Sequence, residues 1–198
     1  MRDKFYADNR DLVKWAILFR LAEIFQAKRI LQLAFYRQSE FPSVLIDGES
    51  YQILAEVLCH FRNLRTVESI NSNIRVKVFD TLFMDRDSYL KAVIKFLSSF
   101  QNERCVVFLD PDTGLEPQNP SLDHVLEVEA KDIWKAIKPG DVYVFYQHQT
   151  NRAGRPWIEP KRIQLERALE SPKNSIKVAH SPQIARDVVF FYEQKPLK

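Results

Sequence analysis

Two short segments carry the side chains best suited to chemistry. The first, Val106-Val-Phe-Leu-Asp-Pro-Asp-Thr-Gly114, is an apolar run ending in two carboxylates, Asp110 and Asp112, split by a proline. The second, Gly140-Asp-Val-Tyr-Val-Phe-Tyr-Gln-His148, is an apolar run ending in Tyr146, Gln147 and His148. Two close carboxylates raise one pKa and so make a general acid, or they share a cation. A histidine beside them adds a proton acceptor near neutral pH. Asp110, Asp112 and His148 therefore suit acid–base chemistry or a divalent metal, and with either the hydrolysis of a phosphate or glycosidic bond. Tyr146 offers a π face for a base or an adenine ring. Plainer roles stand beside these: Asp112 caps its turn, His148 bonds to it, and Tyr146 packs under the loop that follows.

Both segments read as strands buried on both faces, delivering polar side chains at their carboxyl ends. In open α/β sheets ligands bind at that edge, and the spacing of the two endings fits adjacent strands joined by a helix. Periodicity supplies the other elements. Residues 12–25 form a helix with Asp8 or Asn9 as N-cap, and residues 29–36 a buried strand. Residues 41–46 are extended and end in the Asp47-Gly48 turn. A helix over 49–64 puts Ile53, Leu54, Val57, Leu58 and Phe61 on one face. Residues 74–79 alternate apolar and basic, as a strand near an edge does. A helix over 89–100 is capped by Asp87 or Ser88, and helices over 130–137 and 161–169 follow. The basic segment 150–160 reads as a loop over the strand ends. Two closing strands cover 175–179 and 187–192. The expectation is one α/β domain over 1–198, with a mostly parallel sheet and an antiparallel strand pair at its C-terminal end.

Composition sets the outer bounds. The chain has 198 residues, of which 45% are hydrophobic, so it can bury a core and is not a disordered polymer. A formal net charge of +3 permits nucleic acid as a partner without demanding it. Basic residues gather late, at Arg152, Arg155, Lys161, Arg162 and Arg167; Arg152 is placed to meet a phosphate, and a solvated helix face explains the cluster equally well. With 4 glycines, the chain has no GxGxxG and no GxxxxGK[ST], which excludes the standard dinucleotide fingerprint and the P-loop. Cys59 and Cys105 lack zinc or redox spacing and read as core thiols. The sequence shows no signal peptide and no apolar run of membrane length, so no membrane partner and a cytoplasmic location are expected. His60, His124 and His180 read as surface or structural residues.

The layout resembles class I S-adenosylmethionine-dependent methyltransferases. Phe108-Leu-Asp-Pro-Asp-Thr113 is similar to the Asp-Pro-Pro-Tyr type motif that amino-methyltransferases carry on strand four, and Ile133-Trp-Lys-Ala-Ile-Lys-Pro-Gly140 to their helix and turn before strand five. Tyr6-Ala-Asp-Asn-Arg-Asp-Leu-Val-Lys-Trp15 resembles the opening segment of ribosomal RNA adenine-N6 methyltransferases. The chain also resembles uncharacterised bacterial and phage proteins that join a DPDN-like motif to a YQH segment. The resemblance implies a Rossmann-like sheet of seven strands and S-adenosylmethionine as cofactor. It implies that Asp110 orients an exocyclic amine of a nucleobase; Gln147, in the polar trio that ends its strand, is a candidate substrate contact. It also implies that Lys14, Asp80 and Asp110 border the cofactor; by spacing alone, Trp15 is core. Two departures stand out. The turn after the first strand, Leu33-Ala-Phe-Tyr-Arg-Gln-Ser39, has no glycine and would obstruct the cofactor. Asp112 and Thr113 replace the motif's second proline and its aromatic residue.

Three functions remain in view. One is a methyltransferase-like enzyme acting on a nucleobase or nucleic acid. The second is a hydrolase or nuclease on the same scaffold, using Asp110, Asp112 and His148. The third is a catalytically silent binding protein.

Overall fold

Asp8 opens the first helix as its N-cap, its side chain accepting hydrogen bonds from the backbone N–H of Arg10 and Asp11. The computed structural model describes residues 8–40, 43–71, 73–149, 151 and 154–197. In chain order its elements are α1 (Asn9–Ile24), β1 (Arg29–Leu33), β2 (Val44–Ile46), β3 (Glu49–Tyr51), α2 (Ala55–Phe61) and a 3-10 helix (Leu64–Ser69). Then come β4 (Arg75–Phe79), α3 (Arg86–Ser98), β5 (Cys105–Leu109), β6 (Gly114–Leu115), β7 (His124–Val125) and α4 (Glu127–Ala136). The chain closes with β8 (Val142–His148), α5 (Ile158–Leu169), β9 (Lys177–Ala179) and β10 (Val188–Gln194).

The central sheet has six strands in the order β4-β1-β5-β8-β10-β9. The first four are parallel, while β10 runs antiparallel to both β8 and β9. This is a mostly parallel, Rossmann-like α/β sheet with an antiparallel C-terminal pair. The described residues give it six strands where the resemblance implies seven. Strand parity decides which helix each residue meets, because successive side chains point to opposite faces. Ile30, Val106, Phe108, Val142 and Val144 share a core with Val13, Leu18 and Leu21 of α1 and with Leu64 and Val67 of the 3-10 helix. Leu31, Val107, Leu109, Tyr143 and Phe145 share the opposite core with residues of α3, α4 and α5. The chain is thus three layers, and among the described residues α1 is the α-helix of the first core. Among the described residues no helix is long and apolar enough to cross a membrane.

Several sequence expectations shift here. Residues 49–64 do not form one helix. Asp47 and Gly48 both take positive φ, 51° and 86°, the geometry of a two-residue hairpin turn, so Glu49–Tyr51 pairs back on Val44–Ile46. Only Ala55–Phe61 is α-helical, and its expected apolar face is not covered: Leu54 and Val57 are exposed, Ile53 and Leu58 half-buried. The Phe61 side chain and residues 41 and 42 lie outside the description. Asp85, not Asp87 or Ser88, caps α3, accepting from the Ser88 N–H at 2.9 Å. Cys59 is exposed, contrary to a core role, while Cys105 is buried and its thiol is pushed up to about 12 by desolvation. β1 stops at Leu33, and the turn after it is solved without glycine. Phe35 takes φ 43° and turns its ring into the α3 core against Phe83 and Tyr89, at 5.2 and 4.9 Å between centroids. Its N–H is satisfied by the Tyr89 hydroxyl at 2.8 Å.

Candidate functional site

The first residue after β5 lands on the α1 side of the sheet by parity with Val106 and Phe108. That residue is Asp110, and its carboxylate is 1% exposed. Gln32 has the same parity on β1 and donates to Asp110 Oδ2 at 2.7 Å. From above, Lys14 Nζ reaches the same oxygen at 3.0 Å and Asp11 Oδ1 at 2.6 Å. The lysine also lies over the rings of Phe108 and Tyr146, at 5.9 and 5.8 Å. Burial opposes its charge, but Asp110 and Asp11 outweigh burial and keep the ammonium protonated. Burial pushes Asp110 upward against the pull of that ammonium. Both of these bonds go to Oδ2.

A cleft of about 320 Å³ opens at this point. Its lining includes Lys14, Asp110, Asp112, Asp123, Tyr146 and His148. Among the described residues three cations frame it, and each bridges two carboxylates. Lys14 holds Asp11 and Asp110. Arg10 holds Asp8 at 3.0 Å and Asp187 at 2.5 Å. Arg37 holds Asp112 at 2.7 Å and also pairs with Asp123. Among the described residues the frame therefore carries more negative than positive charge, although the chain as a whole is basic. His148 sits at the end of β8, and its Nε2 is 3.1 Å from Asp187 Oδ2. The Arg10 hydrogen bond, with help from its charge, holds the Asp187 carboxyl below the usual range. A second, more open groove of about 470 Å³ shares Asp8 and Asp11 with the cleft and is lined by Trp15, Phe19, Val67 and Ile70. Trp15 is both core and groove wall.

Of the residues singled out in the sequence, Lys14, Asp110, Asp112, Tyr146 and His148 converge on the cleft. Asp80 and Gln147 do not. Asp80 follows edge strand β4 and is bound through both oxygens to Arg65, each at 2.8 Å. Gln147 has the opposite parity to His148 and is fully buried on the far face. It accepts from the Leu115 N–H at 2.9 Å and donates to the His148 carbonyl at 2.8 Å. A Cβ at Gly114 would lie 2.5 Å from its side chain. Gln147 is therefore a strut under the β6 turn and not a substrate contact. Arg152 lies outside the described residues. His124 accepts from the Ser121 N–H at 3.2 Å, a local structural role.

Sequence reasoning missed Arg10, Asp11, Gln32, Arg37, Asp123 and Asp187. For two of them a signal existed: Gln32 is a polar residue inside a buried strand, and Asp11 stands one helical turn before Lys14. The metal option loses support. Asp110 and Asp112 are already engaged by Lys14 and Arg37, and among the described residues no three His, Cys, Asp or Glu side chains stand together as a metal's ligands would.

No family model matches the chain, and no curated protein matches it. Among solved structures it is similar to the crystal structure of a protein from Thermobifida fusca described provisionally as a methyltransferase. The two share 12% identity with a TM-score of 0.42, over 96% of this chain and 80% of that one. A likeness at this level says nothing about activity.

Proposed function

We propose that the chain is a methyltransferase-like enzyme that uses S-adenosylmethionine to methylate an amino group, with the exocyclic amine of a nucleobase as acceptor. One observation carries this reading. Lys14 and Asp110, drawn from two separately recognised motifs and 96 residues apart, meet at 3.0 Å on the wall of one cleft. Lys14 and Gln32 fix Asp110 Oδ2, which leaves Oδ1 to accept from an N–H of the acceptor and aim the nitrogen lone pair. Fixing the oxygen in advance spares the reorganisation that a mobile carboxylate would need.

The residues fit the amino-acid end of the cofactor. Asp8 or Asp11 suits its ammonium, Arg10 its carboxylate, and the Tyr146 face with the acidic frame suits a sulfonium. When bound, the cofactor supplies an electrophilic methyl group. Asp80 is held by Arg65 and makes no case for a ribose contact. The left-handed Phe35 turns its ring away from the strand end, so that turn is less obstructed than its composition implies. The acidic frame also decides which part of a nucleic acid enters: a base is admitted, while phosphates are repelled and stay outside.

The test is calorimetric titration with S-adenosylmethionine and S-adenosylhomocysteine. Micromolar binding is expected, weakened about tenfold or more in a folded Arg10→Gln variant, the scale of one charge-assisted hydrogen bond to the cofactor carboxylate. An absence of heat at millimolar ligand would rule out methyl transfer. The hydrolytic alternative draws on the His148–Asp187 pair in the same cleft, and turnover of nucleotides without any methyl donor would favour it.

A further inference from the structure

Asp187 was invisible in the sequence, yet it is the residue that organises His148. It precedes β10, whose Val188 pairs with His148, so the register of the antiparallel strands brings Asp187 to the end of β8. Its backbone carbonyl accepts from the Gln149 N–H at 2.7 Å. Its two oxygens take Nε and Nη2 of Arg10, at 3.3 and 2.5 Å, and Oδ2 also faces His148 Nε2 at 3.1 Å. A guanidinium only donates, so it keeps this carboxylate ionised, and an ionised carboxylate only accepts. The ring nitrogen facing it must therefore carry the proton. The other nitrogen, Nδ1, takes no bond from the described residues, and the ring lines the cleft. Asp8, Arg10, Asp110 and Tyr146 are among the ionisable groups that line the cleft with it, as are Asp11, Lys14, Asp112 and Asp123.

We propose that Asp187 is a positioning residue, anchored by Arg10, that fixes His148 with its proton on Nε2 and leaves Nδ1 as the proton acceptor of the cleft. The inference deepens the methyl-transfer reading and rests on it for the identity of the acceptor. When the methyl group leaves the sulfonium and bonds to the acceptor nitrogen, an N–H bond of that nitrogen must break. The proton goes to His148 Nδ1, the imidazolium is stabilised by Asp187, and the proton then passes to solvent. Tying the base to a fixed carboxylate is the arrangement by which serine hydrolases hold their histidine in one tautomer.

The test is nitrogen-15 NMR of the imidazole rings, with the His148 signal assigned by its loss in His148→Gln. The neutral wild-type ring is expected to be protonated on Nε2. In Asp187→Ala the acceptor that holds the Nε2 proton is gone, and the ring is expected to populate both tautomers. Under the methyl-transfer reading, kcat falls about 10²–10⁴-fold in this variant while KM for the methyl donor stays within about threefold. A structural pair would leave kcat in place and lower only thermal stability.

A wild-type ring protonated on Nδ1 overturns the inference, even if Asp187→Ala does not fold. An unchanged tautomer in folded Asp187→Ala, or an unchanged kcat, overturns it as well. A silent cofactor titration with the ring protonated on Nε2 removes the methyl-transfer reading and leaves the assignment of Asp187 intact.

Discussion

Lys14 is 4% exposed, and its ammonium bridges two carboxylates at 2.6 and 3.0 Å. A buried charge in that setting is costly to orphan. Lys14→Met should destabilise the fold by about 3–5 kcal/mol, and Lys14→Met with Asp110→Asn should recover part of that loss. Urea unfolding of the single and double variants checks it; additive losses would mean that the pair is not coupled. Gly114 poses a steric problem instead. Its φ is 135°, and an added Cβ would meet three atoms of Gln147 at 2.5 Å. Gly114→Ala should cost about 2–4 kcal/mol from backbone strain and overpacking together. Adding Gln147→Ala should relieve only the overpacking, so a double variant as stable as the wild type would contradict the strain argument.

At the scale of elements, parity made part of the site legible. Asp110, Tyr146 and His148 share one face because they are even-numbered residues on strands whose even-numbered apolar neighbours pack on α1. The same rule sends Gln147 to the opposite face, away from the cleft, where it braces Leu115. Asp187, Arg37 and Asp123 sit in connections, where no period places them; their positions follow from register and loop path. The 49–64 segment was misread because its apolar residues satisfy a helical period while Asp47-Gly48 dictates a hairpin, and local turn chemistry won. The misreading carried Cys59 with it. A thiol reagent should modify Cys59 and spare Cys105, one group per folded chain and two after denaturation, read by mass spectrometry. Rapid modification of Cys105 in native protein would contradict the burial described here.

At the scale of the whole molecule, acid stability follows from carboxylates held by arginines. Burial pushes Glu103 up, but Arg29 at 2.5 Å and Arg75 at 2.5 Å outweigh it and leave it below the ordinary range. A depressed carboxyl holds fewer protons in the folded state than in the unfolded one. Its contribution is therefore complete above the unfolded value and is lost as pH falls through the folded one. The wild type should lose more stability than Glu103→Gln below about pH 4.5, with the difference between them shrinking toward lower pH. Thermal melts across pH 3–6 would show it, and a constant difference would contradict it.

Arg10 and Asp187 are 177 positions apart, yet they close one wall of the cleft. On a chain emerging from the ribosome, every other cleft side chain named here is made before Asp187. β10, which follows it, must then slot between β8 and β9, strands already synthesised. Nascent or truncated chains lacking Asp187 and β10 have no means of orienting His148, however well β1, β4 and β5 have paired. Competence should therefore arrive abruptly, once β10 has been made, and not grow with chain length.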